Sequence, residues 1–370
     1  MPPSESAVAE LTIDLAAVLG NWRKLREMVH PAECAAVVKA DAYGLGADKV
    51  APALAAAGCR LFYVARLSEG IALRKALPNG EIAVFDGVVE GSEASFAAHR
   101  LIPVLNSLEQ IERWAAFARA RGPQPAMLHL DSGMNRLGLP RQEVAILAAD
   151  PDRLRGLALR AVISHLACAD TADHELNAAQ LARFASLRRG LPSAPASLAA
   201  SSGIFLGKPY HLDQARPGAA LYGVCPLSGA PNPMAQVVEL NCKILQVRDV
   251  DSPQTVGYGA THLVRRPSRI ATVGVGYADG YFRALGNRSR GFIGDYPAPL
   301  VGRVSMDLVT LDVTDVPAAL LRPDARVELI GPHRTIDQVA ADAGTIGYEV
   351  LTNLGTGRRL ARRYLDIDRH

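Results

Sequence analysis

Lys39 follows the apolar run Cys34–Val38 and opens the string Ala40, Asp41, Ala42, Tyr43, Gly44, Leu45, Gly46. An amine at the carboxyl end of a buried strand loses hydration, which lowers its pKa and suits it to imine formation with a carbonyl. A lysine that simply leaves the core for solvent has the same local pattern, and this segment alone does not choose between the two. His165 ends another apolar run, where a lone histidine is more often a satisfied core residue than a functional one. Ser201, Ser202 and Gly203, and later Arg216, Pro217, Gly218 and Ala219, put small residues into two loops where backbone N–H groups could approach phosphate oxygens. An arginine in such a loop would ordinarily form a surface ion pair. Tyr258, in Gly257-Tyr258-Gly259, reads most simply as a structural tyrosine in a turn. A phenol with an ordinary pKa of ~10 also needs help from its neighbours to act as a base at neutral pH.

These residues need a scaffold, and the rhythm of the chain predicts one. From about residue 12 to 225, short apolar runs alternate with helix-periodic stretches, as expected of strand, crossover helix and parallel strand. The runs are 35–39, 61–65, 82–86, 102–106, 126–131, 159–165, 197–201 and 219–224, with helical candidates at 47–57, 69–76, 108–120, 141–149 and 175–189. Eight such units predict an α/β fold with an N-terminal (β/α)8 barrel, in which chemistry gathers at the carboxyl ends of the strands. Beyond Pro226 the pattern turns to β-rich segments at 237–250, 269–276, 299–303, 308–313 and 326–330, with helix returning near Thr335. A chain of 370 residues exceeds the usual size of one core. We therefore expect a barrel domain over 12–230 and a mainly β domain over 231–370, with segment 1–11 packing on the latter. The segment 226–233, PLSGAPNP, reads as the linker, although a surface loop would look the same.

Composition narrows the partners. Lys and Arg number 40 against 37 Asp and Glu, for a net charge of +3, and no run of like charge suggests a nucleic-acid or membrane surface. A small molecule is the expected ligand. The start, MPPSESAVAE, lacks a signal-peptide pattern and no stretch of ~20 apolar residues follows, so a cytoplasmic protein is expected. The five cysteines are scattered, without the close pairing of metal sites; reduced thiols and no metal are expected.

VVKADAYGLG, residues 37–46, resembles the cofactor-lysine signature of alanine racemases, enzymes that join a (β/α)8 barrel to a β domain. Further matches run in family order: HLDSGMNRLGL at 129–139, SHLACAD at 164–170, QARPGAALYG at 214–223, VGYGATH at 256–262, GYADGYFR at 276–283, VGRVSMD at 301–307 and TIGYEVL at 345–351. The resemblance implies pyridoxal 5'-phosphate carried covalently by Lys39, and a two-base interconversion of L- and D-alanine that either supplies D-alanine for peptidoglycan or degrades alanine. It implies that Tyr43, Ser202, Gly218, Ala219 and Tyr348 hold the phosphate, that His165 packs on the cofactor ring, and that Arg216 faces the pyridine nitrogen. Ser201 stands where the family usually has asparagine, so no contact carries over there.

Racemisation needs proton transfer on both faces of one carbon. The resemblance assigns Lys39 to the D-alanine side and Tyr258, from the partner subunit of a homodimer, to the L-alanine side. Arg136 is implied near the cofactor's phenolic oxygen and the substrate carboxylate, with Met306 and Asp307 crossing the interface to the substrate. Tyr277, with Arg283, Arg303, Ile346 and Tyr348, corresponds to an entrance corridor. His129 replaces the lysine that becomes carbamylated in well-known members. The competing expectations are a racemase for serine or a broader set of amino acids, and a non-enzymatic cofactor carrier built from the barrel alone.

Overall fold

The computed structural model describes residues 7–322, 324–356 and 359–365. A parallel sheet runs in the order Glu33–Cys34, Gln214–Arg216, Ala196–Ala200, Leu157–Ile163, Gln124–His129, Leu101–Leu105, Glu81–Val84, Leu61–Val64, Ala36–Val37. Its first and last members are halves of one strand interrupted at Ala35. Ala35 N donates to Ala215 O at 3.0 Å, while Val38 N donates to Tyr63 O at 2.8 Å, so this split strand bonds to both neighbours and closes the sheet into a barrel. Helices cover the outside because their apolar residues recur at helical spacing. In Leu108–Arg121 the Ser107 side chain caps the first turn by accepting from Gln110 N, and Ile111, Trp114, Ala115 and Ala118 form the buried stripe.

A second, mainly antiparallel sheet follows. Its spine is Val238–Val250, which pairs antiparallel with Ala9–Asp14, Ser268–Val273 and Arg326–Ile330. Ala9–Asp14 also pairs in parallel with Ala361–Leu365, so the two ends of the described chain lie together in this sheet. Residues 1–6 and 366–370, part of the expected terminal packing, lie outside the described residues. No helix among the described residues is long and apolar enough to cross a membrane.

Two expected strands are misplaced. The eighth barrel strand is Gln214–Arg216, while 219–224 is mostly a 3-10 turn, Ala219–Tyr222, ended by Gly223. A three-residue strand whose long side chains are Gln and Arg carries no apolar signal, and the apolar residues beyond Pro217-Gly218 imitate one. In the β half, 299–303 is not a strand; Tyr296–Pro299 pairs with Arg290–Ile293, and the chain then turns with only an isolated bridge from Leu300 to Leu311.

Candidate active site

Lys39 stands at the carboxyl end of Ala36–Val37, where the backbone does something unusual. Ala40, Asp41, Ala42 and Tyr43 have φ of 52, 55, 54 and 55°, a left-handed turn built from non-glycine residues. Each such residue costs ~1–2 kcal/mol, so its surroundings must hold the turn in place. Within it, Ala42 N donates to Val38 O at 2.9 Å and Gly44 N to Ala40 O at 2.7 Å. From outside, Glu69 braces it: Oε1 accepts from Ala40 N at 2.8 Å, and Oε2 accepts from Ala65 N at 2.7 Å and Arg66 N at 3.1 Å. The Lys39 amine is half-buried, and its pKa is lowered by burial first and by the Arg136 cation second, against the raising effect of Glu69 and Asp86. That is the direction that frees a lone pair for attack on a carbonyl.

A cavity of about 1230 Å³ opens above the strand ends, with Lys39, Tyr43, His165, Ser202, Arg216 and Tyr348 in its wall. Tyr43 and Tyr348 stand with ring centres 6.2 Å apart, and burial raises both phenols above their usual range, so each keeps a proton to donate. Ser202 stands in the same wall, and its hydroxyl works against the burial that raises the Tyr348 phenol. Three hydroxyls and the small residues 218–219 form a cradle suited to a phosphate. Gly218 serves through its missing side chain, since a Cβ there would collide with Tyr43 Oη, while its N–H donates to Ser201 Oγ at 3.0 Å. Ser201 also accepts from Ala220 N at 3.2 Å. The residue left without a role in the sequence thus fixes the shape of the loop.

Arg216 is buried, 3% exposed, and among the described residues no carboxylate pairs with it. Its Nη2 donates to Ser164 O at 2.6 Å and its Nη1 to Ser197 Oγ, both neutral acceptors. Burial opposes its charge, yet a guanidinium stays protonated and can only donate. A buried cation facing a cavity without a counter-ion fits a ligand that brings lone pairs and negative charge. His165, beside it, is held neutral: burial, then the Arg216 and Arg136 cations, push its pKa down to about 3.

His129 is tied to Asn106, its Nδ1 lying 2.8 Å from Asn106 Oδ1. Asn106 Nδ2 donates to Phe85 O at 2.8 Å and Val104 O at 2.9 Å, so Oδ1 is the acceptor and His129 carries its proton on Nδ1. The Nε2 lone pair has no partner among the described residues, and burial together with Arg216 lowers the imidazole pKa to about 4. A neutral imidazole forms no stable carbamate. The racemisation rate is therefore expected to be the same in carbon-dioxide-stripped and bicarbonate-containing buffer; a carboxylated residue 129 in a peptide mass spectrum would overturn this.

Arg136 reaches the cavity on a loop that Asp131 organises, its Oδ1 accepting from Gly133 N and Met134 N, each at 2.9 Å. Ile346 lines the cavity mouth as well. Tyr258, Tyr277, Met306 and Asp307 are not in the wall of this cavity. Tyr258 is 73% exposed and Met306 53%, while Asp307 pairs with Arg359 at 2.6 Å. Two of the loops that carry them are clamped together: Tyr277 N donates to Ser305 O at 3.1 Å and Ala278 N to Met306 O at 3.0 Å, and only a glycine at 276 leaves room for Met306 O. One chain therefore presents two separate surfaces, a cavity with an amine and an outward patch with a phenol. Glu69 and Asn106 were not legible as site residues, because each acts through a contact with a backbone or ring remote in sequence, whereas Ser201 was marked with its loop but given no contact.

Residues 13–226 match the family model for the alanine racemase N-terminal domain, and residues 237–364 match that for the C-terminal domain. The chain belongs to the alanine racemase family. It is 53% identical over 367 residues to the alanine racemase of Rhodospirillum rubrum, covering 98% of each chain. Among solved structures, it is similar to alanine racemase from Bartonella henselae with covalently bound pyridoxal phosphate, with a TM-score of 0.92, 41% identity, and coverage of 97% of this chain and 100% of that one. The biosynthetic alanine racemase from Pseudomonas aeruginosa superposes with a TM-score of 0.89 at 36% identity, with coverage of 97% and 100%. The alanine racemase fold thus accounts for the barrel and the second sheet together.

Proposed function

We propose that this chain is a pyridoxal-phosphate-dependent alanine racemase that exchanges the Cα proton of L- and D-alanine between two opposed bases, Lys39 and Tyr258. The observation that carries the reading is the company Lys39 keeps: an amine of lowered pKa shares one cavity with a buried guanidinium that has no carboxylate partner among the described residues and with three phosphate-suited hydroxyls. Lys39 would hold the cofactor covalently, with Tyr43, Ser202, Ala219 and Tyr348 at its phosphate, Gly218 giving room, His165 against the ring and Arg216 at the ring nitrogen. When bound, the cofactor supplies an electron-withdrawing ring that acidifies the Cα–H bond. Lys39 Nζ takes or returns the proton on one face. Tyr258 Oη does so on the other, and Arg136 with the Met306 backbone holds the substrate carboxylate.

Those roles require Tyr258, Met306 and Asp307 to come from a second copy of the chain, and their outward exposure supports a homodimer with shared sites. Tyr277, Arg283, Arg303 and Ile346 would then narrow the approach and favour a side chain as small as methyl. The same reading divides the chain into a cofactor-holding unit, 12–230, and a unit, 231–370, that supplies the phenol. The five cysteines are free and three are buried, which supports a reducing, cytoplasmic setting.

The test is L-alanine in deuterated water. Solvent deuterium should enter Cα as the optical rotation decays to zero, and serine should show a lower kcat/KM. Equal kcat/KM for serine would shift the reading to a broader amino-acid racemase, and bound cofactor without exchange would reduce the chain to a carrier.

A further inference from the structure

Arg216 is held in the barrel interior by a network that runs to the opposite end of the barrel. Gln214, two residues earlier on the same strand, is its hub. Gln214 O accepts from Ser197 Oγ at 2.6 Å, and because that hydroxyl has a single proton, Ser197 must accept from Arg216 Nη1. Gln214 Oε1 accepts from Tyr63 Oη at 2.5 Å, and the face of the Tyr63 ring lies under the Arg216 guanidinium, 5.9 Å from its centre. Two arms therefore connect Gln214 to Arg216, one a hydroxyl and one an aromatic face. Gln214 is 4% exposed, Tyr63 and Ser197 not at all, so every polar atom here depends on a protein partner.

The direction of this network is set by one charge. Gln214 Nε2 donates to Glu33 Oε2 at 2.9 Å, and Glu33 is the register partner of Gln214 across the closing pair of strands. A carboxylate can only accept, so it forces the amide NH2 of Gln214 toward itself and the amide oxygen toward Tyr63. A flipped amide would face oxygen against oxygen at Glu33. Glu33 itself is exposed and lines a separate cleft with Arg26, His30 and Arg60, at the end of the barrel away from Lys39.

We infer that Tyr63, Gln214 and Glu33 are positioning residues for Arg216: a carboxylate at one end of the barrel orients an amide, the amide orients a phenol, and the face of that phenol's ring, beside a serine fixed by the backbone carbonyl of Gln214, holds the guanidinium still at the other end. The inference rests on the placement of Arg216 at the ring nitrogen. A guanidinium that only donates must meet a lone pair in a narrow range of directions, and neutral acceptors without a countercharge hold it loosely unless they are themselves fixed.

The test uses the holoenzyme and three variants: Glu33→Gln, Tyr63→Phe, and the exchanged pair Glu33→Gln with Gln214→Glu. The readouts are rotation of the Arg216 guanidinium by nitrogen-15 spectroscopy, assigned by its loss in Arg216→Lys, and the loss of cofactor on dialysis. Glu33→Gln, at an exposed position, should leave the fold intact, as circular dichroism will verify, while the guanidinium rotates faster and cofactor is lost about threefold to tenfold faster, the worth of one hydrogen bond to a charged group. Tyr63→Phe should do the same. In the exchanged pair the amide at position 33 donates to the carboxylate at 214, which still accepts from Tyr63, so both readouts should return toward the parent. Unchanged Arg216 rotation in Glu33→Gln, or losses that simply add in the exchanged pair, would overturn the relay. Arg216→Gln separates the two ideas, since unchanged cofactor retention there would instead refute the placement of Arg216 at the ring nitrogen.

Discussion

Lys39→Ala is expected to lower racemisation by about 10⁴-fold or more, since under the proposed mechanism it removes a general base and the covalent anchor at once. Borohydride treatment should no longer fix the cofactor to the chain, read as the loss of the adduct in the intact mass. The protein should remain folded. Lys39 is half-buried with no ion pair among the described residues, and the left-handed turn that follows is held by backbone bonds and Glu69, none of which uses the lysine side chain. Attachment of cofactor to the parent should speed up with rising pH and level off below 10.5, the ordinary lysine value, because burial and Arg136 favour the neutral amine in the folded state. A Lys39→Ala variant that retains borohydride-fixable cofactor would assign the anchor to another amine.

Tyr258→Phe is expected to keep the covalent cofactor and lose about 10²–10⁴-fold in turnover, the usual worth of a positioned acid/base group. Deuterium should still exchange into D-alanine, through Lys39, and cease to exchange into L-alanine. This one-sidedness is the signature of two bases, since a single base serving both faces would lose both exchanges together. Tyr258 is 73% exposed in the single chain, so the substitution should shift folding stability by no more than about 0.5 kcal/mol.

The two variants also test each other. Mixed after reversible dissociation, Lys39→Ala and Tyr258→Phe chains should form hybrid dimers in which one site has both variant residues and the other has both native ones. With half of the dimers hybrid, activity should recover to about a quarter of the parent value. No recovery, with subunit exchange verified by mass, would place the amine and the phenol of each site in the same chain.

How much of this was readable beforehand depends on the range of the interaction. The alternation of short apolar runs with amphipathic stretches reports the barrel because strands buried on both faces and helices buried on one leave periodicities within a dozen residues. It failed at Gln214–Arg216, where the strand's long side chains are polar and turn inward to bond groups on other strands, the arrangement that periodicity cannot see. Lys39 was ambiguous as a lone amine after an apolar run and became specific only through the ordered motifs around it.

The chain by itself determined the kinds of group available: an amine at a strand end, phenols, a donor-only guanidinium, and an imidazole at 129 in place of an amine. Their physical states came from the folded protein. Asn106 decides which nitrogen of His129 carries the proton across 23 residues, and Glu33 sets the Gln214 amide across 181. Burial with no carboxylate partner among the described residues makes Arg216 a cation in want of a ligand, and Tyr258, the proposed second base, is exposed and outside the wall of its own chain's cavity. Protonation, orientation and which surface meets which are set by desolvation and by partners remote in sequence, and only closure of the barrel and the second sheet brings those partners within bonding distance.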